Sequence, residues 1–169
     1  TKNLSHSVTA ECKVTAGKAD GVLIAQGGRF AGWALYILDG KAKYCHNWFD
    51  VEYGYVAATK PVPEGKMVNI RFHFDYDGGV GAGGTGRIYY DDELVGEGRI
   101  EKTVPNVFSA DETLDIGCDL ALPVTDDYPV GAANSFQGEL AWVRIDLEDQ
   151  DAIHEVPDEL KLMKIMAQQ

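Results

Sequence analysis

The chain has 169 residues, 45% of them hydrophobic, and a formal net charge of −12 at neutral pH. That length and composition suit one globular domain with a sizeable core. The acidic balance argues against nucleic acid, which calls for a basic face, and against an anionic membrane surface; there is also no apolar run of membrane-spanning length.

The opening residues, Thr1-Lys2-Asn3-Leu4-Ser5-His6, carry neither an initiator Met nor the apolar stretch of a secretion signal, which fits a fragment or a processed product. Val8, Ala10, Cys12 and Val14 then alternate with Thr9, Glu11, Lys13 and Thr15. This period of two predicts a half-buried strand. A turn over 16–21 leads into Val22-Leu23-Ile24-Ala25, an apolar run that predicts a strand buried on both faces. Next, Gly27-Gly28 opens a hairpin running from Arg29 to Tyr44. Its Asp39-Gly40 turn supplies residues that accept positive φ, as two-residue hairpin turns require.

A second Tyr-rich strand is expected over 52–58, after Cys45-His46-Asn47-Trp48-Phe49. Pro61, Pro63 and Gly65 exclude a central strand there. Over 67–76, Val68, Ile70, Phe72 and Phe74 face one way and Asn69, Arg71, His73 and Asp75 the other. A glycine-rich loop is expected over 77–86, then strands over 87–90 and 94–98, with more strand marked by Phe108, Leu114 and Ile116. A long loop over 119–135 precedes a last alternating strand over 138–147. The tail differs: Pro157, Asp158 and Glu159 precede Leu160, Leu162, Met163 and Met166, which suits a short helix. Many short strands at regular spacing, without crossover helices, predict an all-β, antiparallel two-sheet sandwich over 1–149 with a helical tail over 150–169.

Candidate chemistry is sparse. Gly79-Val80-Gly81-Ala82-Gly83-Gly84 matches a dinucleotide-loop pattern, but β-prone residues follow it where a helix N-terminus is needed. A retaining glycosidase needs two carboxyl groups about 5–5.5 Å apart. Glu112 and Asp115 are an odd three residues apart, which puts them on opposite faces of a strand. Asp111, Glu112, Asp115, Asp119, Asp126 and Asp127 form an acidic stretch, with Asp75 and Asp77 as added carboxylates; they read as solvated loop acids or as a structural calcium site. No other metal or cofactor is expected. Cys12, Cys45 and Cys118 are too widely spaced for a metal or redox motif and read as small buried hydrophobes. Cys45 and His46 point to opposite strand faces and make no nucleophile–base pair. The best binding candidates are Arg29, Trp33, Trp48 and Tyr53, with Tyr36 and Tyr55 beside them, because aromatic rings with an arginine can stack on a sugar or clamp an anion. The same rings also read as sandwich core.

With these residues in view, the chain resembles the C-terminal concanavalin/laminin-G-like domain of large bacterial arylsulfatases. The pieces that carry the resemblance are Ser5-His6-Ser7-Val8-Thr9-Ala10-Glu11, Gln26-Gly27-Gly28-Arg29-Phe30 with Gly32-Trp33, Asn47-Trp48-Phe49, Tyr76-Asp77-Gly78-Gly79 and Gly83-Gly84-Thr85-Gly86. Gly98-Arg99-Ile100-Glu101-Lys102-Thr103-Val104-Pro105 and Asp111-Glu112-Thr113-Leu114-Asp115-Ile116-Gly117 extend it. The resemblance implies a jelly-roll sandwich, a bacterial protein of the cytoplasm or periplasm, and an accessory role beside a catalytic sulfatase-like domain or partner. The formylglycine motif of those enzymes is absent: the three cysteines are followed by Lys-Val-Thr, His-Asn-Trp and Asp-Leu-Ala. Any sulfatase chemistry would therefore lie outside this chain. The alternatives are a stand-alone carbohydrate-binding module of lectin-like fold and, third, a sandwich-fold glycoside hydrolase.

Overall fold

The computed structural model describes residues 1–15, 20–109 and 113–148. The helix expected in the tail, the turn at 16–19 and the acids Asp111 and Glu112 lie outside the described residues. The strands are β1 (His6–Lys13), β2 (Gly21–Gly28), β3 (Ala31–Leu38), β4 (Lys41–Trp48) and β5 (Glu52–Ala57), then β6 (Met67–Tyr76), β7 (Ala82–Tyr90), β8 (Glu93–Lys102), β9 (Leu114–Ile116) and β10 (Glu139–Leu147). They form two five-stranded sheets, ordered β10-β1-β6-β7-β8 and β5-β4-β3-β2-β9, antiparallel throughout. Among the described residues the helical content is one 3₁₀ turn at Gly131–Asn134. The fold is an all-β jelly-roll sandwich.

The alternation read in the sequence sets the register. On β6, Val68, Ile70, Phe72 and Phe74 are buried between the sheets, opposite Leu23, Trp33, Leu35, Ile37 and Tyr44 of the second sheet. Tyr44 and Phe72 stack across the gap with ring centres 3.6 Å apart and planes 5° off parallel, and Trp33 stacks behind Tyr44 at 6.1 Å. Each such buried side chain stabilises the fold by about 1.5–3 kcal/mol. The predicted Asp39-Gly40 turn is present with φ of 50° and 72°, both in the left-handed region.

The glycine-rich stretch departs from expectation. Its second half, from Ala82, is strand and not loop. Glycine has no side chain to give a period, so the pattern is invisible in the sequence. Here the neighbours require it: a Cβ on Gly86 would sit 2.7 Å from the Phe72 ring and 2.8 Å from Val56, and one on Gly84 2.5 Å from the Phe74 ring. The rings of β6 lie over β7 because β7 offers them no Cβ. Phe108 also departs: it is buried in the core from an irregular segment, and among the described residues of that region the strand is Leu114–Ile116.

Cys12 and Cys45 are free and buried, as small apolar residues, and burial pushes both thiols up to about 12.

Candidate functional site

Antiparallel pairing places two hairpin turns side by side at one end of the second sheet. Gly32 pairs with Asn47, so the β2–β3 turn carrying Arg29 and Phe30 lies against the β4–β5 turn carrying Phe49, Asp50 and Val51. Asn47, fully buried, ties them together. Its Nδ2 donates to Arg29 O at 2.7 Å and to Val124 O at 2.8 Å, while its Oδ1 accepts from Asp50 N at 2.8 Å.

The β4–β5 turn is strained. Phe49 and Asp50 have φ of 56° and 58°. A β-turn whose two central residues both have this hand prefers Asn-Gly or Gly-Gly there, and a bulky residue costs of order 1–3 kcal/mol. The strain displays an aromatic ring and a carboxylate. Phe49 is 44% exposed, with Phe30 and Val51 exposed beside it. Asp50 accepts from Arg29 Nε at 3.2 Å and from the Tyr53 hydroxyl. Those contacts, Tyr53 first, hold its carboxyl below the usual range.

The loop at 118–135 folds over the outer face of the same sheet. Asp119, 1% exposed, accepts from Val124 N at 3.0 Å and from the Tyr128 hydroxyl at 2.7 Å. Asn134 clasps both ends, accepting from Asp119 N and donating to Asp119 O and Pro129 O. Burial raises the Asp119 carboxyl above its ordinary value. Val124 and Tyr128 then pack on Val22, Ala34, Tyr36 and Cys45 as a second small core. The clasp aims Thr125, Asp126 and Asp127 at the strand face. Asp126 pairs with Arg29 Nη1 at 3.1 Å; Asp127 pairs with Lys43 Nζ at 2.6 Å and accepts from the Tyr36 hydroxyl. Thr125 Oγ1 lies 2.8 Å from the Tyr55 hydroxyl.

Of the four sequence candidates, the structure brings Arg29 and Tyr53 together around Asp50. Trp48 is half-buried beneath Phe49, with Lys102 Nζ 4.8 Å above its ring. Trp33 has no exposed surface and gives its indole N–H to Gln26 at 3.1 Å, so its ring belongs to the core and meets no ligand from solvent. The sequence singled out neither Asp50 nor Asp126 as partners of Arg29. Asp126 is 97 positions away, and nothing local marks that contact. The exposed ring of Phe49 was within reach, in Asn47-Trp48-Phe49-Asp50, as an apolar residue at a turn position.

No family model matches this chain, and no curated protein does. Solved structures do. Mouse laminin α1 chain domains LG4-5 superpose with a TM-score of 0.55 at 18% identity over 88% of this chain and 40% of theirs. The native heptameric SAP-like pentraxin of Limulus polyphemus gives 0.52 at 16%, over 83% of this chain and 63% of that one. The CBM40 of Ruminococcus gnavus IT-sialidase, solved with α2,3 sialyllactose, gives 0.57 at 11%, over 86% and 76%. The chain has the laminin-G/concanavalin-like fold. It spans two fifths of the length of the laminin chain it matches.

In this laminin-G-like sandwich the outer face of the first sheet carries no covering loop among the described residues. Ser7 Oγ lies 2.9 Å from His73 Nδ1, and His73 Nε2 lies 2.8 Å from Asp75. The order is that of a nucleophile, a base and its orienter. Acyl transfer also needs N–H donors around a developing oxyanion. Ser7 sits mid-sheet, paired on both sides with β10 and β6, so the backbone around it is committed to the ladders. The backbone around the relay therefore has no N–H free to bind an oxyanion. His73, Asp75 and Glu148 bring one ligand atom each within 4.8 Å of one another, a set that could hold a divalent cation. Arg87 competes there, bound to the Asp75 carboxylate. In the acidic stretch, Asp115 takes Leu120 N and the Thr113 hydroxyl, while Asp119, Asp126 and Asp127 are engaged as above.

Proposed function

We propose that this domain is a lectin-like carbohydrate-binding module whose glycan rests on the turn end at Arg29, Phe49, Asp50 and Tyr53. One observation carries the reading: a strained turn holds an exposed aromatic ring beside a carboxylate, a guanidinium and a phenol. Rings stack on the apolar face of a pyranose, and Asp and Arg exchange hydrogen bonds with its hydroxyls. Arg29 is already neutralised by Asp50 and Asp126, which favours neutral hydroxyl-rich ligands over anions at this end. The sialyllactose-bound CBM40 among the structural neighbours supports sugar binding as a use of this fold. In its finer form the module serves a separate catalytic domain of the sulfatase type, presenting or retaining that domain's glycan substrate. A structural calcium ion is no requirement of this reading.

A glycan array on the wild-type chain, followed by calorimetry on a hit, tests it. Phe49→Ala and Asp50→Asn should each weaken binding about tenfold or more, the usual reach of a stacked ring or a charge-assisted bond. Phe49→Gly should abolish binding while leaving the melting temperature unchanged or higher, since glycine accepts the turn's φ. Full binding by these variants would sink the turn-end site, and a steep fall in melting temperature for Phe49→Gly would make Phe49 a structural residue.

A further inference from the structure

The chain has five arginines, and four of them touch acids: Arg29, Arg87, Arg99 and Arg144. Arg71 has no carboxylate within ion-pair distance among the described residues. Its guanidinium instead lies 4.3 Å from the centre of the Tyr89 ring. In a protein with a net charge of −12, an arginine left without an acid is the exception.

Its position adds a second observation. The registers of β10, β1, β6 and β7 put Arg144, Thr9, Arg71 and Tyr89 in one row across this outer face. Strands lie about 4.8 Å apart, so the two arginine positions flank Thr9 at roughly 10 Å from each other. Thr9 is 5% exposed and its hydroxyl has no hydrogen-bond partner. Asn69 Oδ1, in the next row along the same face, is also buried without a partner. Buried polar atoms are nearly always paired, so two orphans beside a free guanidinium mark hydrogen-bonding capacity that the protein alone does not use. Trp142, 39% exposed, stands in the Asn69 row as an aromatic platform.

We propose that this row is a second glycan subsite, one that takes the carboxylate of an acidic sugar on Arg71. A planar guanidinium matches a carboxylate with two parallel bonds. The Tyr89 ring behind it keeps the fork oriented, and Trp142 meets an adjoining ring of the saccharide. Glu11, on the same face between its cross-strand partners Trp142 and Asn69, borders the subsite and has no ion pair among the described residues. Its charge opposes the ligand's. The inference rests on the carbohydrate reading of the domain but not on the turn end, where the arginine is already neutralised.

The test is a titration of the isotope-labelled full chain with glucuronic acid, glucose and acetate, followed by amide shifts. Glucuronic acid should move the amides around Thr9, Arg71 and Tyr89, and glucose should leave them in place. Arg71→Gln should weaken the glucuronate response about tenfold or more, with an unchanged melting temperature, and Arg71→Lys should restore part of it. Glu11→Gln should strengthen it. The proposal is overturned if glucuronic acid moves nothing, or only residues around Asp50. It is also overturned if Arg71→Gln binds as the wild type does, or if acetate binds as tightly as the sugar acid. Loss or retention of neutral-glycan binding in Phe49→Ala reports on the turn end alone, so the two readings fail separately.

Discussion

The two sheets treat their outer faces in opposite ways. The β5-β4-β3-β2-β9 sheet is roofed by the loop at 118–135, and its polar groups, Asn47, Asp119 and Asn134, are buried and fully paired. Among the described residues the other sheet carries no such roof, and its outer face is laced with half-exposed ion pairs such as Arg87 with Asp75 and Glu97. The roof turns polar residues into structure, because each one removed leaves a buried group unpaired. On the other face the ion pairs stay solvated, where they contribute little to stability and are free to exchange for a ligand.

Removing Asn47 should break that contrast most sharply. Asn47→Ala orphans the carbonyls of Arg29 and Val124 and the Asp50 N–H, and should cost about 3–4 kcal/mol in denaturant unfolding. A loss near zero would mean the roof is not anchored through β4.

The residue beside it, His46, separates the roofed side of β4 from the side facing the main core. Burial holds His46 at about 3 and His6 at about 4, against an ordinary 6.5, and His46 Nε2 accepts the Val104 N–H at 3.0 Å. Both rings are neutral in the fold and charge readily once unfolded. Their contribution is therefore complete above pH 6.5 and is lost as the pH falls toward 4 and 3. At pH 5 each should have cost about 2 kcal/mol relative to neutral pH. His46→Gln, which can keep an acceptor toward Val104, should flatten the stability profile between pH 6.5 and 4. An unchanged slope would exclude His46 as its source.

Asp119 sharpens the picture of the roof itself. Asp119→Ala orphans the Val124 N–H and the Tyr128 hydroxyl and should cost about 2 kcal/mol. Asp119→Asn should cost well under half of that, since burial already disfavours the charge. If the two variants melt together, charge and not hydrogen bonding holds the loop. The smallest effect is expected on the bare face. Arg87→Ala should unfold at nearly the wild-type denaturant concentration, because both its acids are about half exposed. A larger loss would erase the distinction between the faces.

Most of the strand framework was legible. The alternation over Met67–Tyr76 and the Asp39-Gly40 turn carry their own evidence, a period of two and a φ preference. The strand at Ala82–Tyr90 was hidden, because its glycines are dictated by Phe72 and Phe74 of the neighbouring strand and have no pattern of their own. The site was half legible. Arg29 and Tyr53 could be named from residue type, but Trp33 has the same chemistry and lies in the core, since only register decides which face a ring takes. The partners Asp50 and Asp126 depend on a strained turn and a distant loop, neither of which leaves a local signal. Arg71 could be placed on the polar face of β6, yet its lack of an acid among the described residues is a property of four strands at once.

The placement of β1 bears on how the chain is made. Among the described strands it comes first in chain order, and it lies between β6 and β10, the last of them. Leu147 must pair with His6 before the first sheet is complete. Until then one flank of β1 presents unpaired amides and carbonyls, an invitation to another nascent strand. Closure of the first sheet therefore waits on β10, and this flank of β1 stays open to wrong pairing until β10 docks.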